Sequence, residues 1–212
     1  MASDMTASLP ERLRSRRKAL GLTLRDVADE ARLSVGFISQ IERGLATPSL
    51  TSLVEIARAL ALDPGALLGI PPTSGATLPQ AGRNRFALSP LGPTYERISS
   101  GDGRMALNGL VTHFPPGYAS AETTRHEGEE LFYVLEGELE LVLDGTRTRL
   151  RPGDAAHYSS ALPHHMRNPT DKPTSILWVG TINLFGAEAN HAPEHRALTQ
   201  ESLDQAELEG AK

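Results

Sequence analysis

Cysteine is absent from the 212-residue sequence. That excludes disulfide scaffolds, thiolate zinc sites, iron–sulfur clusters and cysteine nucleophiles. Also missing is any apolar run near the roughly 20 residues that a membrane span needs, and the opening MASDMTASLP has no apolar signal core. The expectation is a cytoplasmic protein with no membrane partner. Neither sign of charge dominates. The formal net charge is −5, with 22% charged and 39% hydrophobic residues, the balance of a soluble chain able to bury a core. The length suits one or two domains of roughly 100–150 residues.

The charge is unevenly spread. Residues 1–70 hold 9 Lys and Arg against 8 Asp and Glu, whereas residues 71–212 hold 12 against 18. Arg12, Arg14, Arg16, Arg17, Lys18 and Arg25 crowd together with only Glu11 beside them. Such a cluster permits an anionic partner and equally suits a solvated helix face.

Pattern divides the chain into a helical domain at 9–70, a linker at 71–93, a β domain at 94–185 and a polar tail at 186–212. The linker has 8 Gly and Pro in 23 positions. In the helical part, Leu13, Arg17 and Leu20 share one side of a helix that Gly21 ends. Thr23 with Asp26 predicts a capped second helix, and Ser34 caps a third running through Ile38 and Ile41 to Arg43-Gly44. Thr47-Pro48-Ser49 starts a fourth, with Leu50, Leu53, Val54 and Ala57 at helical spacing, and Asp63-Pro64 a short fifth.

Two short helices joined by a tight turn suit insertion of the second into a DNA major groove. The residues Leu13, Arg17, Leu20-Gly21-Leu22-Thr23, Val27-Ala28, Ser34, Ile38-Ser39, Ile41-Glu42-Arg43-Gly44, Pro48-Ser49 and Leu53 resemble the phage-repressor (XRE/Cro-type) helix-turn-helix family. On the third helix, Val35, Gly36 and Gln40 lie opposite Ile38 and Ile41. Gln40 suits bidentate reading of adenine and Val35 contact with a thymine methyl. Ser34, Ser39 and Arg43 suit phosphate contacts, and Phe37 divides between core and DNA. The resemblance implies an Arg17–Glu42 ion pair. Where the family often has Gln, this chain has Leu24, which removes one backbone contact.

The β part consists of regularly spaced short strands with Gly and Asp turns, which predict an antiparallel sandwich or barrel. Pro116-Gly117, His126, Glu130, Gly137, Pro152-Gly153-Asp154, Pro163-His164 and Asn168 resemble the two motifs of the cupin family. The resulting fold class is α+β with two domains: a five-helix helix-turn-helix unit followed by an antiparallel jelly-roll cupin barrel. Metal-binding cupins present three His and one Glu, and here His126, Glu130 and His164 match while the first His is Thr124. The resemblance therefore leaves two expectations: a divalent transition metal (Zn, Fe, Mn or Ni) on three ligands, or a metal-free pocket of hydrogen-bonded histidines.

Alternation places Phe132 and Val134 on the Glu130 side, and Met166 and Asn168 on the His164 side. Thr124, Phe132, Val134 and Met166 are thus the expected effector pocket, with Arg125, Arg167 and His165 turned away. His113, His191 and His195 match no ligand position. The other apolar faces, Leu131, Tyr133, Leu135 and Leu139, Leu141, Leu143, must pack on a second sheet or a partner chain, which predicts a homodimer. Together these features predict a regulator that reads a palindromic double-stranded DNA operator and binds a small-molecule effector, with no catalytic residues. The alternative is a metal-dependent oxygenase or isomerase on a DNA tether.

Overall fold

The computed structural model describes residues 8–70, 77–100 and 105–185. Five helices come first: α1 (Leu9–Ala19), α2 (Leu24–Glu30), α3 (Val35–Glu42), α4 (Leu50–Ala59) and α5 (Pro64–Leu67). Each start has a local cause. The Ser8 N–H donates to Glu11 Oε2 at 2.9 Å. Thr23 and Asp26 form a reciprocal capping box, with Asp26 N to Thr23 Oγ1 at 3.1 Å and Thr23 N to Asp26 Oδ2 at 2.7 Å. Ser34, Ser49 and Asp63 cap α3, α4 and α5 with their side-chain oxygens. Leu13, Ile38, Ile41, Leu53 and Leu60 are essentially inaccessible and form the helical core.

The basic cluster on α1 is partly spent on this packing. Arg12 Nη1 donates to the Leu67 carbonyl at 2.8 Å, and Arg16 Nε to the Leu60 carbonyl at 2.9 Å. These carbonyls close α4 and α5, where the helix dipoles leave partial negative charge. Arg17 grips Glu42 bidentately, at 2.6 and 2.8 Å. Half of the cluster therefore fastens α1 to its neighbours.

Nine strands follow among the described residues: β1 (Arg85–Ala87), β2 (Thr94–Arg97), β3 (Asn108–Phe114), β4 (Glu129–Glu136), β5 (Leu139–Leu143), β6 (Thr146–Leu150), β7 (Ala155–Ser159), β8 (His164–Arg167) and β9 (Thr174–Gly180). They build a six-stranded antiparallel sheet in the order β1-β2-β3-β9-β4-β7 and a three-stranded one in the order β6-β5-β8. Phe132 and Ile176 of the larger sheet share a core with Leu139, Leu141 and Leu150 of the smaller. Asp144 and Gly145, both at positive φ, make the two-residue turn between β5 and β6.

One expectation changes. Strand β1 lies within the stretch read as linker: Phe86 pairs with Tyr95, and their rings stack 5.2 Å apart, so pairing outweighs the Gly and Pro around it. Residues 71–76 and 186–212, with His191 and His195, lie outside the described residues. The apolar faces divide between the two expected coverings, and a second sheet covers one of them. Leu139 and Leu141 are 0% and 4% exposed and belong to the core, whereas Leu131, Tyr133 and Leu135 are exposed. A β-bulge between Val134 and Glu136 and a turn at Gly137 exchange the inward parity between β4 and β5. Gly137 sits at φ +78°, and a Cβ there would lie 2.5 Å from the Pro173 carbonyl oxygen.

The helices and the sheets share one apolar cluster. Leu50, Val54 and Ile70 pack with Tyr95, Phe114, Trp178 and Phe185. The N-terminus of α4 is thereby seated on the β domain.

Candidate functional site

Two regions collect the chemistry. The first is α3. Ser34, Gly36, Gln40 and Arg43 are exposed, Val35, Phe37 and Ser39 are partly so, and Ile38 and Ile41 are buried on the other side. Val35 and Phe37 also touch the helical core, which explains Phe37's double character. Arg43 Nε donates to the Ser39 carbonyl at 3.2 Å, leaving the rest of its guanidinium at the surface. The surface therefore offers one neutral donor–acceptor, Gln40, flanked by hydroxyls and a cation. That composition suits a major groove between two phosphate rows. Leu24 packs against the helical core instead of offering a polar contact.

The second region is buried. The side chains of His126, Glu130 and His164 come together with ligand atoms within 4.8 Å of one another. His126 Nε2 lies 2.9 Å and His164 Nε2 3.7 Å from Glu130 Oε1. Both rings use Nδ1 toward backbone carbonyls, that of Glu127 at 3.0 Å and that of Leu162 at 2.8 Å. Donation from Nδ1 orients each ring with Nε2 toward the carboxylate; an ion there would take the Nε2 lone pairs in place of the proton that His126 shares with Glu130. The donor set, its burial and this outer support fit a divalent transition metal on three protein ligands.

Without an ion, the cluster balances charge internally. Burial pulls the His126 pKa down, but the hydrogen bond and charge of Glu130 outweigh it and hold it above the ordinary value. Burial pushes Glu130 up, and its hydrogen bond from His126 and the histidine charges bring it below the usual carboxylate range. Burial leaves His164 lowered despite Glu130. The pairing thus favours a protonated His126 against the Glu130 carboxylate, while burial disfavours charge on His164.

Tyr158 completes the cluster, donating its hydroxyl to Glu130 Oε2 at 2.7 Å. Its role follows from the pairing of Glu130 with Tyr158 across β4 and β7, which spacing along the chain does not reveal. Thr124 pairs with His164 across a single bridge, and its hydroxyl donates to the His164 carbonyl at 3.2 Å.

A cavity opens from this cluster. Thr124, Glu130, His164 and Met166 line it, together with Thr112, Tyr118 and Trp178. Phe132 and Val134 point to the same side of β4 but lie in the core, both 0% exposed, and are not among its lining residues. His165, expected to turn away, also borders the cavity. Asn168 is structural, donating to the Pro115 and Lys172 carbonyls, and Arg167 pairs with Glu140 at 2.6 Å on the outer surface.

Residues 13–67 match the helix-turn-helix family model, and residues 110–180 match the cupin domain model. The chain joins a helix-turn-helix domain to a cupin domain. The HTH-type transcriptional regulator PuuR of Escherichia coli is 26% identical over 186 residues, covering 86% of this chain and all of that protein. The regulator SutR of the same species is 22% identical over 166 residues, covering 78% and 89%. The fold resembles that of an HTH_3 family transcriptional regulator from Vibrio cholerae, with a TM-score of 0.54 at 19% identity over 82% of this chain and 94% of that one. The helix-turn-helix domain thus spans α1 to α5, and the cupin domain holds the His-Glu-His cluster. Among the described residues, no helix is long and apolar enough to cross a membrane.

Proposed function

We propose that this chain is a sequence-specific transcriptional regulator whose cupin domain binds a small effector and thereby alters operator affinity. The observation that carries the DNA half is α3, whose buried side fixes it in the domain while Ser34, Gly36, Gln40 and Arg43 stay open. Gln40 reads a base edge, Val35 and Gly36 allow close approach, and Ser34, Ser39 and Arg43 hold phosphates. The regulator names of relatives that match 86% and 78% of this chain support this reading.

The effector half rests on the cavity, which has aromatic and aliphatic walls and one polar end at Glu130 and His164. It suits a small, largely apolar molecule with a hydrogen-bonding head. A divalent ion on His126, Glu130 and His164 would supply a Lewis-acidic anchor for that head. With three ligands and regulator-type relatives, the cluster serves sensing in this reading; catalysis at the same ligands is the competing one.

A second copy covers the outer face of β4, where exposed Leu131, Tyr133 and Leu135 stand beside Leu177 and Val179 of β9. A two-fold dimer sets two α3 helices about 34 Å apart, one turn of DNA. Selection of fragmented genomic DNA on the purified chain tests the proposal. The expected result is a shared palindromic site upstream of genes; fragments retained without a common motif would refute it.

A further inference from the structure

The cavity is not built by the cupin domain alone. Ser49, Leu50 and Thr51, the cap and first turn of α4, line it together with Glu130, His164 and Trp178. Leu50 is 5% exposed and belongs to the apolar cluster of the cupin domain, although it is a residue of the DNA-reading domain. A second cavity, on the other side of Tyr95 and Tyr118, is also bordered from both domains, by Thr47 and Pro48 and by Leu88, Ala119 and Ala121. The boundary between the domains is thus where the open space lies.

A part-buried polar contact fastens this boundary. The Ser49 N–H donates to Glu122 Oε1 at 3.2 Å, across 73 residues of chain. Ser49 is the cap of α4, so the carboxylate meets the positive end of a ten-residue helix. Burial pushes the Glu122 carboxyl up, and hydrogen bonds from Ser52 and Ser49 oppose that shift. Arg32 and Glu127 form an ion pair across the same boundary, but it is solvent-exposed and worth little.

We propose that the effector site is shared between the two domains: Ser49–Thr51 of α4 form a wall of the cavity, and Glu122 is the latch that keeps this wall closed. This proposal rests on the cavity being the effector site. Its consequence is mechanical coupling through the helical core. Leu53 and Ala57 of α4 share one cluster with Val27 and Ala28 of α2 and with Ile38 and Ile41 of α3, and α2 packs on both α4 and α3, so a ligand that displaces the start of α4 acts on the recognition helix through α2. Only a ligand with unequal affinity for the closed and open arrangements changes DNA affinity.

The full chain supplies its own reporters. Trp178, the single tryptophan of the sequence, lines the cavity, and the Ser49 amide reads the latch. The experiment combines residue-resolved hydrogen exchange with acrylamide quenching of tryptophan fluorescence, on the wild type, Glu122→Ala and Glu122→Gln. In Glu122→Ala the Ser49 amide should exchange about tenfold faster, the equivalent of one lost hydrogen bond to a charged group. Acrylamide quenching of Trp178 should rise about twofold as the wall opens. Glu122→Gln retains the acceptor and should stay near the wild type. Faster Ser49 exchange with unchanged quenching would show that α4 is not a wall of the cavity. No change in either would show that Glu122 is not a latch. Should Glu122→Ala fail to fold, Glu122→Asp withdraws the carboxylate by one methylene and gives the same two readouts. Neither readout involves DNA or an effector, so their failure leaves the operator selection standing, and a failed selection leaves them intact.

Discussion

Replacing Arg17 by Met tests whether the α1 basic cluster is structural. In the wild type, Arg17 makes two bonds to Glu42 and a third, at 2.9 Å, to the Leu22 carbonyl. The side chains of Arg17 and Glu42 are 12% and 7% exposed. Truncation leaves the Glu42 carboxylate nearly buried and unpaired. Breaking a buried pair costs about 3–5 kcal/mol, and the residual exposure places this case near the lower end, about 3 kcal/mol. A unit of this size has total stability of roughly 3–9 kcal/mol, so the loss is a large part of it. At about 4–8 °C per kcal/mol, the transition of the helix-turn-helix domain should fall by roughly 12–24 °C. Calorimetry of the full chain checks this, and Arg17→Met/Glu42→Met supplies the decisive comparison. With no orphan carboxylate left, the double variant should recover most of the loss. A double variant as unstable as Arg17→Met would refute the argument.

Four further outcomes follow from the geometry. Gly137→Ala forces a Cβ against the Pro173 carbonyl at positive φ and should destabilise the cupin domain by about 3 kcal/mol in urea unfolding, whereas a cost under about 1 kcal/mol would show that the turn yields easily. Chelator-treated protein should have a bell-shaped urea midpoint against pH. The His126 contribution is complete below its ordinary value of 6.5 and is lost as pH rises through its raised pKa, while that of Glu130 is present above 4.5 and is lost as pH falls through its lowered pKa. His126→Gln should flatten the alkaline limb, and an unchanged limb would contradict the ion-pair assignment. Elemental mass spectrometry should find about one transition-metal ion per chain, lost in His126→Ala/His164→Ala, if three ligands suffice; no metal in either protein would assign the cluster to hydrogen bonding alone. Leu135→Lys should shift sedimentation from dimer toward monomer, and an unchanged dimer would place the interface elsewhere.

The helical half was legible almost residue by residue, because its signals are local. Thr23 with Asp26, Ser34 and Gly44 act within one turn of the chain, and the structure places the helix ends beside them. The triad was legible for another reason: the spacing of His126, Glu130 and His164 matches a known motif. What escaped depends on contacts between distant strands. Tyr158 joins the cluster only through the β4–β7 register, and the inward turn of Leu139 and Leu141 depends on a bulge that alternation cannot foresee. The contribution of Ser49–Thr51 to the cavity escaped because those residues already had a complete local role as a helix start.

The central claim is that α3 reads DNA sequence, and it is tested most directly by binding of randomised duplexes to the wild type, Gln40→Ala and Arg43→Ala. The account predicts a palindromic motif for the wild type and relaxed preference at one position of each half-site for Gln40→Ala, with a discrimination loss of about 1–3 kcal/mol. Arg43→Ala should keep the motif, bind all sites more weakly and lower the salt slope by about 1. An identical motif and equal discrimination in Gln40→Ala would contradict the account.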